Sequence, residues 1–169
     1  RTARLPGLRP PQTRDGPELR YSWARRLKQS WPELSVSLNG GIVDVASAAE
    51  HLEVFDGVML GRAAYQNPWI LAELQARIFG HGGPEGRTEA VHRMTPYLER
   101  QVAAGIPVKQ VSRHVLGLFQ GLPGARRWRR YISENAHVDA ANARLLEQAL
   151  QYMGPAMAGS AQVHDDDLE

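Results

Sequence analysis

The 169 residues include no cysteine. That absence excludes a disulfide scaffold, a thiolate-bound zinc or iron–sulfur site, and a cysteine nucleophile supplied by this chain. Long apolar runs are also missing. None approaches the ~20 residues needed to span a bilayer, and the start carries no secretory pattern. Lysine is scarce, with Lys28 and Lys109 the only two. The expectation is a cytoplasmic protein without membrane attachment. Hydrophobic residues make up 43% of the chain, enough for a packed core and against wholesale disorder.

The positive charge that is present is almost all arginine. The formal net charge is +2, but Asp165, Asp166, Asp167 and Glu169 sit together in the last five residues. Without those four acids, 20 basic residues face 14 acidic ones, so the body carries +6. The planar guanidinium suits phosphate and nucleic acid better than a lysine point charge does, although a genome rich in Arg codons would leave the same mark. The chain opens on Arg1 where Met would normally stand, and so reads as starting at an interior point of a longer protein.

Residues 1–20, rich in Arg, Pro and Gly, read as a loop. A helix is expected from Tyr21 to Trp31, burying Trp23, Leu27 and Trp31, with Pro32 stopping it. Strands are expected over Leu34–Leu38 and Val54–Leu60, with a helix capped by Asp44 between them. That alternation indicates parallel βαβ architecture, and two strands alone cannot bury a parallel sheet on both faces. After Arg62 the pattern becomes helical. Asn67-Pro68 opens a helix that closes at Gly80. His81–Arg87 is a Gly-rich linker and the expected domain boundary. Further helices are expected from Thr88 to Gly105, from Pro107 through Leu118, over Ala125–Asn135, and over Asp139–Met153.

Two strand ends stand out. Leu38-Asn39-Gly40-Gly41 and Leu60-Gly61-Arg62 each lie where a strand stops and a helix is about to start. One helix and one strand separate them, so they should be neighbours on one sheet edge. Glycines there let backbone amides approach an anion, a helix N-terminus adds partial positive charge, and Arg62 can add a bidentate grip. In (β/α)₈ barrels the loops after the last two strands form such a phosphate site, often with a short extra helix, here Ala63–Gln66. The competing reading is that the glycines only make tight turns, with Asn39 bonding the turn backbone.

The strings LNGGI from Leu38, DGVMLGRAAYQNPWILAE from Asp56, and RHVLGLFQGLPGARRWRRYISENAH from Arg113 resemble tRNA-dihydrouridine synthases of the bacterial A subfamily. The stretch GLRPPQTRDGPELRYSW from Gly7 is similar to that subfamily's segment before the seventh barrel strand. The resemblance runs from Arg1 to about Met153 and leaves out the acidic tail. It implies an α/β fold: residues 1–80 as the C-terminal part of an FMN-binding (β/α)₈ TIM barrel, and 81–154 as an all-helical tRNA-binding domain. Residues 155–169 are expected to be a disordered acidic tail. The implied activity is FMN-dependent, NADPH-linked reduction of a D-loop uridine of tRNA to dihydrouridine, at the 20/20a positions. By position, Asn39, Gly40 and Gly41 would line the flavin phosphate from the seventh strand, and Gly61 and Arg62 from the eighth. Arg1 matches the arginine of the family's His-Ala-Arg motif. The family's catalytic cysteine gives a proton to C5 of uracil while hydride reaches C6. This chain has no cysteine, so it is expected to be inactive alone.

Arg126, Arg127, Arg129 and Arg130 surround Trp128 on one expected helix, with Arg126, Arg129 and Arg130 sharing a face. Arg113 and Lys109 would extend the patch. Such a face suits folded RNA, which is read through backbone charge and shape, and an enzyme acting on a base within a loop needs a firm hold on that backbone. The alternative is a solvated helix face with Arg130 paired to Glu134. Trp128 reads as a core anchor, and Asp56 as a turn or salt-bridge residue. The histidines show neither metal-ligand spacing nor triad partners, so no metal is expected. Two rival functions stay open: a non-catalytic RNA-binding remnant, and another FMN-dependent barrel oxidoreductase.

Overall fold

The computed structural model describes residues 19–137 and 142–154. The chain divides into two units, one ending at Gly61 and the other beginning at Arg62. Arg1 and the acidic tail lie outside the described residues.

The first unit holds α1 (Tyr21–Ser30), β1 (Ser37–Asn39), α2 (Val45–Leu52) and β2 (Gly57–Met59). The strands are shorter than their apolar runs, and they pair in parallel, Ser37 with Gly57, Leu38 with Val58 and Asn39 with Met59. Asp56 braces their entry: its Oδ2 accepts from the Val36 amide at 2.8 Å, and its own amide donates to the Val36 carbonyl. Lys28 Nζ reaches the same carboxylate at 2.9 Å and donates to the carbonyls of Pro32 and Leu34. The end of α1 is thereby tied to the start of both strands. Asp44 caps α2, accepting from the Ser47 amide at 2.7 Å. Leu38, Ile42, Ala48 and Phe55 form the small core, with the His51 ring set between Tyr21 and Phe55.

One expectation fails here. No residue of α1 is buried, and Trp23, Leu27 and Trp31 are 59%, 42% and 52% exposed. The apolar stripe exists at four-residue spacing, but it remains about half exposed. Arg20 lies over the Trp23 ring, 5.0 Å from its centre.

The regular elements of the second unit are helices: α3 (Arg62–Gln66), α4 (Trp69–Phe79), α5 (Arg87–Ala103), α6 (Val108–Ser112), α7 (Ala125–Asn135) and α8 (Leu145–Ala149), followed by a 3₁₀ turn over Leu150–Tyr152. Gly80 ends α4 in the left-handed region at φ 71°, as its position implies. The core gathers Val91 and Leu98 from α5, Val108 from α6, Val115 and Phe119 from the following loop, Trp128 and Ile132 from α7, and Leu145 and Leu146 from α8.

Two helices are shorter than expected. The apolar spacing through Leu118 does not continue α6. After Ser112 the chain makes successive i→i+3 turns, with Val115 and Leu118 still buried. Within this run Gly117 is required by packing, because a Cβ there would overlap the Gln66 carbonyl, and glycine is a poor helix former. The last helix begins only at Leu145. The Asn142 side chain accepts from the Arg144 amide at 2.9 Å, making a turn that competes with helix, and residues 138–141 are not described. In α5 the N-cap is Gly86, with Thr88 already inside the helix, which also runs through Pro96.

Candidate functional site

Two places in the structure gather the residues singled out above. The first is the carboxyl end of the strand pair. Because Asn39 lies opposite Met59, the chain leaves β1 through Gly40-Gly41 beside the point where β2 runs into Leu60-Gly61. Gly40 and Gly41 take φ values of 116° and 72°, which a side chain strongly disfavours. The Tyr21 hydroxyl, marked by no motif or spacing, donates to the Gly40 carbonyl at 2.7 Å. In a planar trans peptide the carbonyl and the next amide point opposite ways, so the Gly41 N–H is aimed away from Tyr21. Among the described residues no carbonyl accepts from the Gly41 or Gly61 amide.

These glycines differ in what requires them. A Cβ on Gly41 would lie 2.5 Å from Tyr21 Oη and 2.5 Å from Leu19 Cδ1. Gly41 therefore has a local packing reason as well as a backbone one. Gly61 has neither: its φ is not positive, and a Cβ would meet only Met59 Sδ at 4.0 Å. Asn39 is exposed. Arg62 opens α3 immediately after Gly61, is exposed, and makes an interaction of its own.

The second place is the start of α7. Gly121 and Gly124 both have positive φ and turn the chain into the helix, whose Trp128 is fully buried against Phe119 with ring centres 4.6 Å apart. Anchoring Trp128 and Ile132 inward forces the arginines outward. Arg126, Arg127 and Arg129 line an open cleft of about 680 Å³, together with the Gly121–Ala125 turn, Gln151, Tyr152 and Gly154. Arg130 does not line it. Its Nε bonds Glu134 Oε1 at 2.7 Å, and that carboxylate pushes the already high Arg130 pKa further up. The cleft thus holds Arg127, which the helical wheel set to one side, in place of Arg130. Arg113 Nε donates to His114 Nε2 at 3.1 Å, and Lys109 is exposed on α6; neither lines the cleft. The packing of Tyr152 against Tyr131, ring centres 5.1 Å apart, sets the far wall and had no sequence signal.

Asp56 is a salt-bridge residue, as expected, with its carboxyl held below the usual range by the Val36 amide and then by Lys28. Among the described residues no three His, Asp or Glu side chains gather as a metal site, and no helix is long and apolar enough to cross a membrane.

Comparison with known proteins follows the same stretch of chain. Residues 4–153 match the sequence profile of the family described as dihydrouridine synthase (Dus). A tRNA-dihydrouridine(20/20a) synthase of Vibrio cholerae is 47% identical over 151 residues, covering 89% of this chain and 46% of that protein. Those of Salmonella typhi and Pseudomonas aeruginosa are 51% and 46% identical, over 152 and 154 residues. The chain spans about half the length of the curated relatives it matches.

Proposed function

Since this chain belongs to the dihydrouridine synthase family, we propose that it serves reduction of uridine to dihydrouridine at the 20/20a positions of the tRNA D-loop. Its part would be to grip the flavin phosphate and dock the RNA. The observation that carries the reading is the parallel register, which sets Asn39-Gly40-Gly41 beside Leu60-Gly61 at one sheet edge.

In this reading residues 1–80 are the closing part of a (β/α)₈ barrel, residues 81–154 a helical tRNA-binding domain, and residues 155–169 an acidic tail. Asn39, Gly40, Gly41, Gly61, Arg62 and Arg1 belong to the FMN site. The fit rests on the glycines. An amide aimed away from Tyr21 and a glycine with open space at its Cβ position suit close approach by a phosphate, and Gly61 has no other local requirement. FMN bound there would supply hydride to the uracil ring, with NADPH as the reductant that restores it. The proton donor must come from outside this chain, which has no cysteine. The setting is the cytoplasm, where tRNA is modified.

Arg126, Arg127 and Arg129 take the tRNA backbone, with Arg113 and Lys109 as outlying contacts and Arg130 committed first to Glu134. RNA binding without catalysis is the second reading, favoured by the separate core that the helical unit closes on its own. Two measurements test these roles. In the full-length protein, Arg62→Ala should lower flavin occupancy, read by visible absorbance; full retention would remove Arg62 from the site. The Arg126→Glu/Arg129→Glu pair should weaken tRNA binding and flatten its salt slope by roughly one unit per lost phosphate contact. Unchanged affinity would end the docking role, and lost tRNA binding with no flavin at any loading would favour the second reading.

A further inference from the structure

Arg113 and Lys109 stay outside the α7 cleft, and α6 presents them at another place. Arg113 closes α6 one turn after Lys109, so the two cations share a face. Arg113 Nε donates to His114 Nε2 at 3.1 Å, which requires a neutral ring with its proton on Nδ1. The His114 ring meets Tyr65 of α3 edge to face, with centres 5.6 Å apart and planes at 81°. Such a contact covers at most one face of either ring, and Tyr65 remains 57% exposed. Gly117 keeps the pair together. A Cβ there would overlap the Gln66 carbonyl, so glycine lets the last turn of α3 sit on this loop.

We infer that this platform binds one unpaired nucleobase of the RNA, stacked on the open face of Tyr65, with the adjoining phosphate on Arg113. The inference rests on the RNA-docking reading above and adds a base subsite to its backbone contacts. Charge selects the occupant. No Asp or Glu occurs in residues 62–72 or 100–133, the segments that build the platform. A basic partner gains nothing from them, whereas a nucleotide gains both a ring face and a cation. Folded RNA offers unstacked bases in its loops, bulges and ends.

The stacked base is not the one reduced. Arg62, three residues before Tyr65 on the same side of α3, belongs in the reading above to the flavin phosphate, and the ribityl chain keeps that phosphate away from the reacting ring. A base on Tyr65 is therefore a neighbour of the target uridine. Its stacking offsets part of what is lost when the target leaves the loop.

The experiment titrates the 169-residue chain with a labelled tRNA transcript, and with the same transcript made abasic at the unpaired positions beside the target uridine. Tyr65→Ala should weaken binding to the intact transcript about tenfold. The salt slope should not change, because stacking releases no counterions, and the thermal midpoint should hold because the ring is exposed. Tyr65→Phe should bind as the parent chain does, and Arg113→Gln should flatten the slope by about one unit. The abasic transcript should bind the parent about tenfold more weakly, and Tyr65→Ala should cost nothing further on it. Equal losses from Tyr65→Ala on both transcripts would overturn the stacking assignment. Loss of NADPH affinity in place of tRNA affinity would make a free dinucleotide the occupant and overturn the RNA assignment. A parent chain that does not bind tRNA would end the docking reading, and this inference with it. Intact docking with an indifferent Tyr65 would end the inference alone.

Discussion

Glu147 on α8 accepts from Thr95 Oγ1 on α5 at 2.9 Å, and its Oε1 lies 3.4 Å from His92 Nδ1. The Thr95 bond first, and then His92, hold its carboxyl below the usual carboxylate range. A folded-state pKa that is depressed contributes stability at pH above the unfolded value and loses it as pH falls through the folded one. Wild type should therefore exceed Glu147→Gln by about 1 kcal/mol at pH 7 in urea unfolding. The gap should begin to narrow as pH falls below the ordinary carboxylate range and should close only once the pH has passed the lower, folded-state value. A gap that stays constant would mean the charge is not what joins these helices. The strand-end glycines give a second comparison at this scale. Gly41→Ala places a Cβ against Tyr21 and Leu19 at a left-handed φ, and should destabilise the first unit and its flavin retention together. Gly61→Ala meets open space, so the fold should hold while flavin retention in the full-length protein falls. If Gly61→Ala keeps its flavin, the phosphate does not approach there.

Among the elements, α7 shows how far a sequence pattern carries. Trp128 and Ile132, four apart, are the buried pair, and the arginines follow outward by geometry alone, so that much is legible from spacing. Which arginines share the cleft is legible only in part. The Arg130–Glu134 pair lies four apart within α7 and can be read from spacing, whereas Arg127 and Tyr152 come to line one cleft only through the way the elements pack. The same division recurs elsewhere. Asp44 and Gly80 mark helix ends through local hydrogen bonding and backbone freedom, and both stand where expected. Gly117 has to be glycine because of Gln66, fifty-one positions earlier, and no window along the chain contains that contact. The α1 stripe has helical period, but a period states only that a face is apolar, not that anything here covers it. Trp128 is the anchor that makes α7 a platform. Trp128→Ala should cost ~3–5 kcal/mol and abolish tRNA binding through loss of the helical core. Arg127→Ala should weaken binding with thermal stability unchanged. Equal stability of the Trp128→Ala protein would show that the cleft does not depend on this core.

For the whole molecule, the consequence of two units is two unequal cores. The first unit buries Leu38, Ile42, Ala48 and Phe55, with two three-residue strands as its sheet. The second buries Val91, Leu98, Phe119, Trp128, Ile132 and Leu146 almost completely, from three helices and the loop before α7. Local stability follows buried apolar contact, so opening free energies should differ between the two. In native-state hydrogen exchange of the 169-residue chain, amides of α5 and α7 should outlast those of α1 and β1 by orders of magnitude. Leu98 is fully buried in α5, and Leu98→Ala should remove ~2–5 kcal/mol there, collapsing protection across α5, α7 and α8 together. Protection within β1 and α2 should stay where it was, because their core shares no residue with that cluster. A simultaneous loss in both units would show one cooperative fold. In that case the strand ends that hold the glycines would depend on the helical core, and tRNA docking and flavin retention would rise and fall as one property.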